Sequence, residues 1–469
     1  MNAESSARAD LALDILVVGG GISGLALAYT LSTAGHRVRV LEKSNLSAPS
    51  GGIRLPPNFS KILKRWIGEE ELMKVATRCV GTPFMHLNTG SSIGYLPWRA
   101  AVMAETGGDF LVIHDLLRLL HRLATDAGAI VEFNTPVSSI HPGTESSPNP
   151  SVTLVDGRVL SANVLVGADG NSSQVRPVVL GYEEETKPGG LTVYTGVIDS
   201  TEDMLQDSDL RQWASGDNWP IWMGSHRSLC AHPIRAKKGY FFHIWSHTQD
   251  GLPQGGDETW NDLVPTESTG ISNLSPELQR MVRMAGPTLI RTQHLLHADR
   301  AEADWVDSTG RIVLIGDAAH PSCPGGSHTG SMGVEDAVVL GALLARLRRP
   351  GQLPTFLSAY QELRQARAEF THAADLANAR LMALAPGPVQ QARDESMARH
   401  QDEGDEWDEG ATRDQFNEIA EIFVYDAYDA AEEWWVNWGR FSEVERERDF
   451  RAPIMGSGTG QFDMARLVK

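Results

Sequence analysis

The feature that most constrains this 469-residue chain is an apolar strand running straight into three spaced glycines. Ile15-Leu16-Val17-Val18 leads into Gly19-Gly20-Gly21-Ile22-Ser23-Gly24, a G-x-G-x-x-G with Gly19, Gly21 and Gly24 at the fingerprint positions. The first glycine permits a tight turn. The second lets backbone approach a pyrophosphate closely, and the third lets the following helix pack on the strand. That helix, expected from Ser23 to Ala34, aims its positive N-terminal end at the phosphate, and Gly35 stops it. A second strand over 37–41 ends in Glu42, where a ribose hydroxyl is gripped, with Lys43 beside it. Strand, glycines, helix, second strand and acid in this order imply a bound dinucleotide. The unit alone does not say which one.

Composition narrows the partners. A net charge of −19 argues against nucleic acid or anionic lipid. Much of the acid lies late, in Asp402-Glu403-Gly404-Asp405-Glu406-Trp407-Asp408-Glu409, read as a solvated loop or helix start. Only Cys79, Cys230 and Cys323 occur, so neither a disulfide framework nor zinc spacing follows. No secretory signal or membrane-length apolar run is visible, and a cytoplasmic protein is expected. At 41% hydrophobic residues, a chain this long builds two or more packed units.

Along the chain, residues 1–13 read as a disordered leader. Helices are expected from Phe59 to about Val75 and from about Asp115 to Ala127, the latter with Leu116, Leu119, Leu120 and Leu123 on its apolar face. Residues 130–133, 137–140, 152–155 and 159–160 read as short antiparallel strands, with Asp156-Gly157 as a hairpin turn. Val164-Leu165-Val166-Gly167 is a buried-type strand ending in Asp169-Gly170. From about 190 to 292 the chain is strand-like and rich in aromatics. Another apolar strand, 311–315, ends in Gly316-Asp317, and the chain beyond Pro354 is mainly helical.

Two distant stretches make the dinucleotide specific. Gly167-Ala168-Asp169-Gly170-Asn171-Ser172-Ser173-Gln174-Val175-Arg176 and Gly316-Asp317-Ala318-Ala319-His320-Pro321 resemble two signatures of the single-component aromatic-ring flavoprotein monooxygenases, typified by 4-hydroxybenzoate and salicylate hydroxylases. With the N-terminal fingerprint, three motifs in order span residues 14 to about 345. Phe423-Val424-Tyr425-Asp426-Ala427-Tyr428-Asp429 is similar to the salicylate hydroxylase branch.

The resemblance implies an α/β chain: a Rossmann-like, glutathione-reductase-type FAD-binding domain, a β-sheet substrate domain and a C-terminal helical segment. The FAD domain is expected discontinuously in 14–75, 106–189 and 293–353, the substrate domain in 76–105 and 190–292, and the helical region in 354–469. It also implies that NADH or NADPH, bound transiently, reduces FAD, and that O2 is captured as a flavin C4a-hydroperoxide before a phenolic ring is hydroxylated. A second G-x-G-x-x-G is absent, which fits a transient hydride donor. Asp317, at the carboxyl edge of the sheet, suits the ribityl hydroxyls of FAD or serves as a turn cap. Asp169 and Gly170 form a turn, or support the pyrophosphate and the nicotinamide encounter. Gly330, Ser331 and Met332 open a helix whose amides suit the anionic face of reduced flavin. Pro324 matches the family's proline loop. Glu335 and Asp336 lie where acids favour a helix start, and they receive no catalytic role.

The chain departs from the family in two places. The family's flavin-contacting arginine position holds Ile113, and Arg118 or Arg54 is expected to substitute. His328 stands in an altered glycine-glutamine-glycine, as a satisfied loop residue or as a substrate or proton-relay contact.

A phenol titrates near 10, so its ionisation at neutrality needs about 4 kcal/mol of phenolate stabilisation. Candidates to supply it are His226, His232, Arg235, Tyr194 and His243 on the aromatic unit, each with a structural alternative. The expected partner is a small aromatic substrate, reacting by decarboxylative hydroxylation of a salicylate- or prenylated 4-hydroxybenzoate-type acid. A homodimer is admitted but not required. The alternatives are a tailoring hydroxylase or epoxidase acting on a terpenoid or polyketide, and a non-catalytic flavin-binding protein docking through Trp434, Trp435 and Trp438. A halogenase is disfavoured, because Trp219-Pro220-Ile221-Trp222 is not its Trp-x-Trp-x-Ile-Pro signature.

Overall fold

The structure is a computed structural model that describes residues 8–46, 51–98, 106–247, 262–297, 303–398 and 421–440. Residues 1–7 of the expected leader and the acidic run 402–409 lie outside it. Residues 8–13 are tied down: Ala9 N–H donates to Ala34 O, Leu11 N–H to Leu347 O, and Leu13 is buried.

The first layer is an all-parallel sheet in the order Ile312–Leu314, Val164–Gly167, Asp14–Val18, Arg37–Leu41, Ile130–Glu132. Ile312–Leu314, Val164–Gly167 and the Ile15–Val18 part of the third strand are buried apolar runs, as strands covered on both faces require, whereas Arg37–Leu41 and Ile130–Glu132 are partly exposed. Ile130–Glu132, expected in an antiparallel group, instead pairs parallel with Arg37–Leu41. The helix Leu116–Asp126 before it supplies the crossover a parallel neighbour needs. The other three short strands do form an antiparallel sheet, Val137–His141, Ser151–Leu154 and Val159–Ser161.

Helices Ile22–Thr33 and Thr329–Leu344 cross closely over the parallel sheet. A Cβ on Gly333 would sit 1.9 Å from Ser23 Oγ, and one on Gly341 would sit 2.6 Å from Thr30 Cβ. Thr30 Oγ1 donates to Ala337 O at 2.8 Å across this contact.

The second unit is an eight-stranded mixed sheet. Its order is Asp262–Pro265, Thr288–His297, Thr186–Ile198, Gly239–His247, Arg227–Ile234, Ile221–Gly224, Gly81–His86, Ser92–Pro97. The unit boundaries expected at 189/190 and 292/293 fall inside two of these strands, which belong to this sheet along their whole length. Proline and paired glycines at 188–190 hide the strand start from a propensity reading, and the ladder is irregular there. The 30-residue helix Leu353–Met382 buttresses both units, and the later helix Ala427–Trp434 packs on it and on Thr329–Leu344 of the first. Trp435 packs on Phe356 at 6.1 Å, whereas Trp438 is exposed.

Charge is buried at the join. Glu335 and Asp336 sit nearly two turns inside Thr329–Leu344, with no exposure. Arg364 Nε donates to Asp336 at 2.7 Å, and its Nη1 pairs with Glu335 at 2.8 Å. Arg367 bonds Glu335 and the Ile422 carbonyl, and Asn58 donates to Glu335 at 2.7 Å. The other oxygen of Asp336 accepts from Gly316 N–H at 2.8 Å and from His320 at 2.6 Å. Burial raises the pKa of Asp336, but His320 and Arg364 outweigh it and hold the carboxyl at about 2. Replacing Arg364 with leucine leaves two buried carboxylates short of a partner. Equilibrium urea unfolding is expected to show a loss of about 3–5 kcal/mol.

Candidate active site

At the nucleotide end, each glycine of the fingerprint has a distinct job. Gly19 has φ +103°, and a Cβ there would lie 2.3 Å from Ala168 O; one on Gly24 would lie 2.0 Å from Gly19 O. Both are needed to close the turn. Gly21 differs: a Cβ there meets nothing within 4 Å, although the residue heads helix Ile22–Thr33 without a side-chain cap. The space in front of these amides is open.

Glu42 grips this turn. One carboxylate oxygen accepts from Gly20 N–H at 2.7 Å, and the other accepts from Ser44 N–H and its hydroxyl. A cleft of about 130 Å³ runs here between Gly20, Gly21, Glu42, Ser44, Asp115 and Arg118. Arg118 is thus brought to the glycine turn, whereas Ile113 is buried in a strand of the core. Lys43 is exposed, and Ser23 faces Gly316 and Gly333.

Three further segments build the other end. Asp169 accepts from Ser173 Oγ at 2.6 Å, Gln174 N–H at 2.7 Å and Val175 N–H at 3.2 Å, so its carboxylate organises its own turn. Gly170 has φ +81°. Arg176, at the end of that motif, pairs with Glu184 at 2.8 Å and donates to the carbonyls of Ala318 and Ala319. It ties the second motif to the third. Asp317 is half-buried and accepts from Ser322 Oγ.

The loop from Cys323 to His328 then enters helix Thr329–Leu344, whose N-terminus no side chain caps. His328 is buried. Its Nδ1 donates to Asp375 Oδ1 at 2.9 Å, and its ring stacks on Phe423 at 5.8 Å. Asp375 also accepts from the backbone of Ser327 and His328. Burial raises its pKa, and the His328 ring and these amides more than offset that. His328 Nε2 is buried with no hydrogen-bond partner among the described residues. The side chains of Ser331 and Met332 turn inward, onto His328 O and Thr371, leaving only their backbone to face outward. Gly330 opens toward Ile53 and Phe59.

The large sheet faces this loop with one side only. Alternation puts Val193, Thr195, Cys230, His232, Phe241, His243 and Trp245 on that side. Trp245 Nε1 donates to the Pro324 carbonyl at 3.2 Å. His232 stacks on Phe241, and neither of its ring nitrogens has a partner among the described residues. Burial, reinforced by nearby Arg54, drives its pKa down to about 3. His243 is likewise lowered by burial, and it shares a 2.9 Å hydrogen bond with Thr195.

Three expected candidates are elsewhere. Tyr194 is on the opposite face, packed with Trp222 and its neighbours, because it differs in parity from Val193 and Thr195. His226 and Arg235 occupy hairpin turns at φ +56° and +53°, where His226 N–H donates to Ala383 O and Arg235 bonds His114 and Asp199. Arg54 is not at the glycine turn: it lies against Trp219 and Trp245 and donates to Gly325 O. Two contributors were not legible beforehand. Asp375 is one acid among the mixed charges of a long helix, and Phe423 comes from a segment nearly 100 residues past the loop.

Residues 12–374 match the family described as FAD binding domain. The 3-hydroxybenzoate 6-hydroxylase of Polaromonas naphthalenivorans (strain CJ2) is 30% identical over 365 residues, covering 76% of this chain and 84% of that protein. The FAD-dependent monooxygenase OpS4 of Beauveria bassiana (strain ARSEF 2860) is 26% identical over 408 residues, covering 84% and 91%. A salicylate hydroxylase substrate complex shares the fold with TM-score 0.67 at 19% identity, covering 90% of this chain and 97% of the other. The donor set suits FAD. One uncapped helix N-terminus with open space at Gly21 faces a carboxylate-lined cleft, and a second uncapped N-terminus stands beside the aromatic wall.

The depressed pKa of His232 has a consequence for stability. The unfolded chain binds its proton near pH 6.5, the folded one only near 3, so stability falls as pH drops between these values. Between pH 7 and 4.5 this group contributes about 2–3 kcal/mol of that loss. His232→Phe is expected to flatten the acid-side decline by that amount in urea unfolding at the two pH values.

Proposed function

This chain belongs to the FAD-dependent aromatic hydroxylase family and is a FAD-dependent monooxygenase, and we propose that its substrate is a phenolic aromatic acid. Where the attacked carbon bears the carboxylate, one O2 and one NAD(P)H are consumed and CO2 and water are released with the hydroxylated ring. Bound FAD supplies the hydride acceptance and oxygen activation. The protein contributes positioning, exclusion of water and proton handling.

In this reading, Glu42 and Arg118 flank the adenosine end and the Gly21 amides meet the pyrophosphate. Asp317 would hold the polyol, and the amides of Gly330 to Met332 at the uncapped helix start would stabilise negative charge on the flavin ring. The observation that carries the reading is one buried aromatic wall on which the Pro324–His328 loop meets two imidazoles with unpartnered nitrogens, His232 and His328. The aromatic residues of that wall suit a flat ring. Neutral His232 donates its one ring N–H to the phenol oxygen and orients it. His328, aligned by Asp375, takes the phenol proton at Nε2. Lowering electron demand at the ring carbon through phenolate character is what makes it nucleophilic.

Purified protein loaded with FAD is expected to oxidise NAD(P)H faster with certain hydroxybenzoates than without, and to form product in step with NAD(P)H loss. Peroxide as the sole outcome across a panel of phenolic acids would reject the reading. Gly21→Ala should cost the fold no more than about 1 kcal/mol, the loss of a glycine cap, since the new Cβ meets nothing within 4 Å. It should nonetheless weaken FAD binding at least about tenfold, measured by flavin fluorescence. His328→Gln should slow product formation by about 10²–10⁴-fold and flatten the acid limb of its pH profile, with FAD content retained.

A further inference from the structure

We propose that Arg54 receives the carboxylate of the substrate, so that this enzyme selects ring acids over neutral phenols; the inference rests on reading the aromatic wall as the substrate site. Arg54 lies in the middle of strand Ile53–Leu55. Alternation sends Ile53 and Leu55 toward the core of the FAD domain and Arg54 the other way, onto the wall. Its guanidinium stands 4.7 Å from the Trp219 ring centroid and 5.5 Å from that of Trp245.

What sets it apart is the missing counter-charge. Among the described residues five arginines are buried: Arg54, Arg176, Arg364, Arg367 and Arg393. Arg176 pairs with Glu184, Arg364 with Glu335 and Asp336, Arg367 with Glu335, and Arg393 with Asp394. Arg54 alone among these has no carboxylate within ion-pair reach in the described residues. It donates to Gly325 O and weakly to Cys230 Sγ at 3.8 Å, and the rest of its fork has no acceptor there. Asp375 is felt through space, but both its oxygens are engaged by Ser327 and His328. A buried cation without a partner is costly, and an incoming anion removes that cost.

The geometry points to a planar anion attached to a flat ring. A guanidinium fork matches a carboxylate with two parallel hydrogen bonds. Trp219 and Trp245 hold the fork in orientation from either side and offer ring faces of their own. His232 and His243, buried and neutral, are not rival cations on this wall. The remaining rival for Arg54 is the negative charge that a reduced flavin would bring to the Pro324–His328 loop.

Titration calorimetry on the FAD-loaded protein separates these, using a hydroxybenzoate and the hydroxybenzamide of the same ring pattern. The wild type is expected to bind the acid about 10–100-fold more tightly than the amide. Arg54→Gln should bring the two within about threefold by losing affinity for the acid, with FAD content and flavin midpoint potential unchanged. Arg54→Lys should keep part of the preference; it decides the matter if the glutamine variant does not hold FAD. An equal loss for both ligands, or a shifted potential with the acid preference intact, overturns the proposal. Wild type that binds phenols and hydroxylates them without favouring the acid overturns it too, while leaving the proposed reaction standing. Wild type that binds no member of the panel overturns both.

Discussion

The buried carboxylate of Asp336 is the constraint on which the rest of the structure depends. It stands inside the helix that follows the Pro324 loop, yet it holds the Gly316 amide and His320 from the preceding turn and Arg364 from the long C-terminal helix. One side chain thereby fixes the end of a parallel strand, the loop after it and the buttress behind it. Glu335 extends the same cluster to Asn58, Arg367 and, through Arg367, to Ile422. An ionic cluster of this kind adds little net stability relative to apolar packing, but it tolerates no missing member. It therefore specifies geometry, which a cofactor cradle needs more than it needs extra free energy.

A second buried pair works beside it. Arg176 and Glu184 join the Asp169-Gly170 turn to the carbonyls of Ala318 and Ala319, and His297 at the end of a long strand closes on the same Glu184. The two sheets are thus linked next to the cradle. Motifs about 150 residues apart are held in register by side chains that never touch a ligand in this arrangement. The aromatic wall then needs only to present one face to that frame, and the register of Thr186–Ile198 against Gly239–His247 decides which face it is.

Much of the cofactor frame was legible because its signals are local. Gly19, Gly21 and Gly24 act on their own turn, Glu42 follows its own strand, and the apolar runs 15–18, 164–166 and 312–315 are buried on both faces wherever they pair. The candidate site was legible only in part. His232 and His243 were found on the wall beside Tyr194, which is not there, because an aromatic-rich stretch announces a sheet without announcing its parity. Arg54, a sequence candidate for the flavin-contacting arginine, lies against Trp219 and Trp245, a position the sequence does not show because it does not reveal which face of a three-residue strand a side chain occupies.

The sequence by itself determined that a dinucleotide-type βαβ unit forms here and which short motifs accompany it, because glycine conformations and hydrophobic runs act within a few residues. Only the tertiary structure decided that Glu335 and Asp336 are core ion partners rather than helix-start acids. It alone showed that Asp375 aligns His328 and that one buried arginine lacks a counter-ion among the described residues. Such facts are set by contacts between segments tens to hundreds of residues apart, and a pairing of that range leaves no periodicity for a single sequence to display.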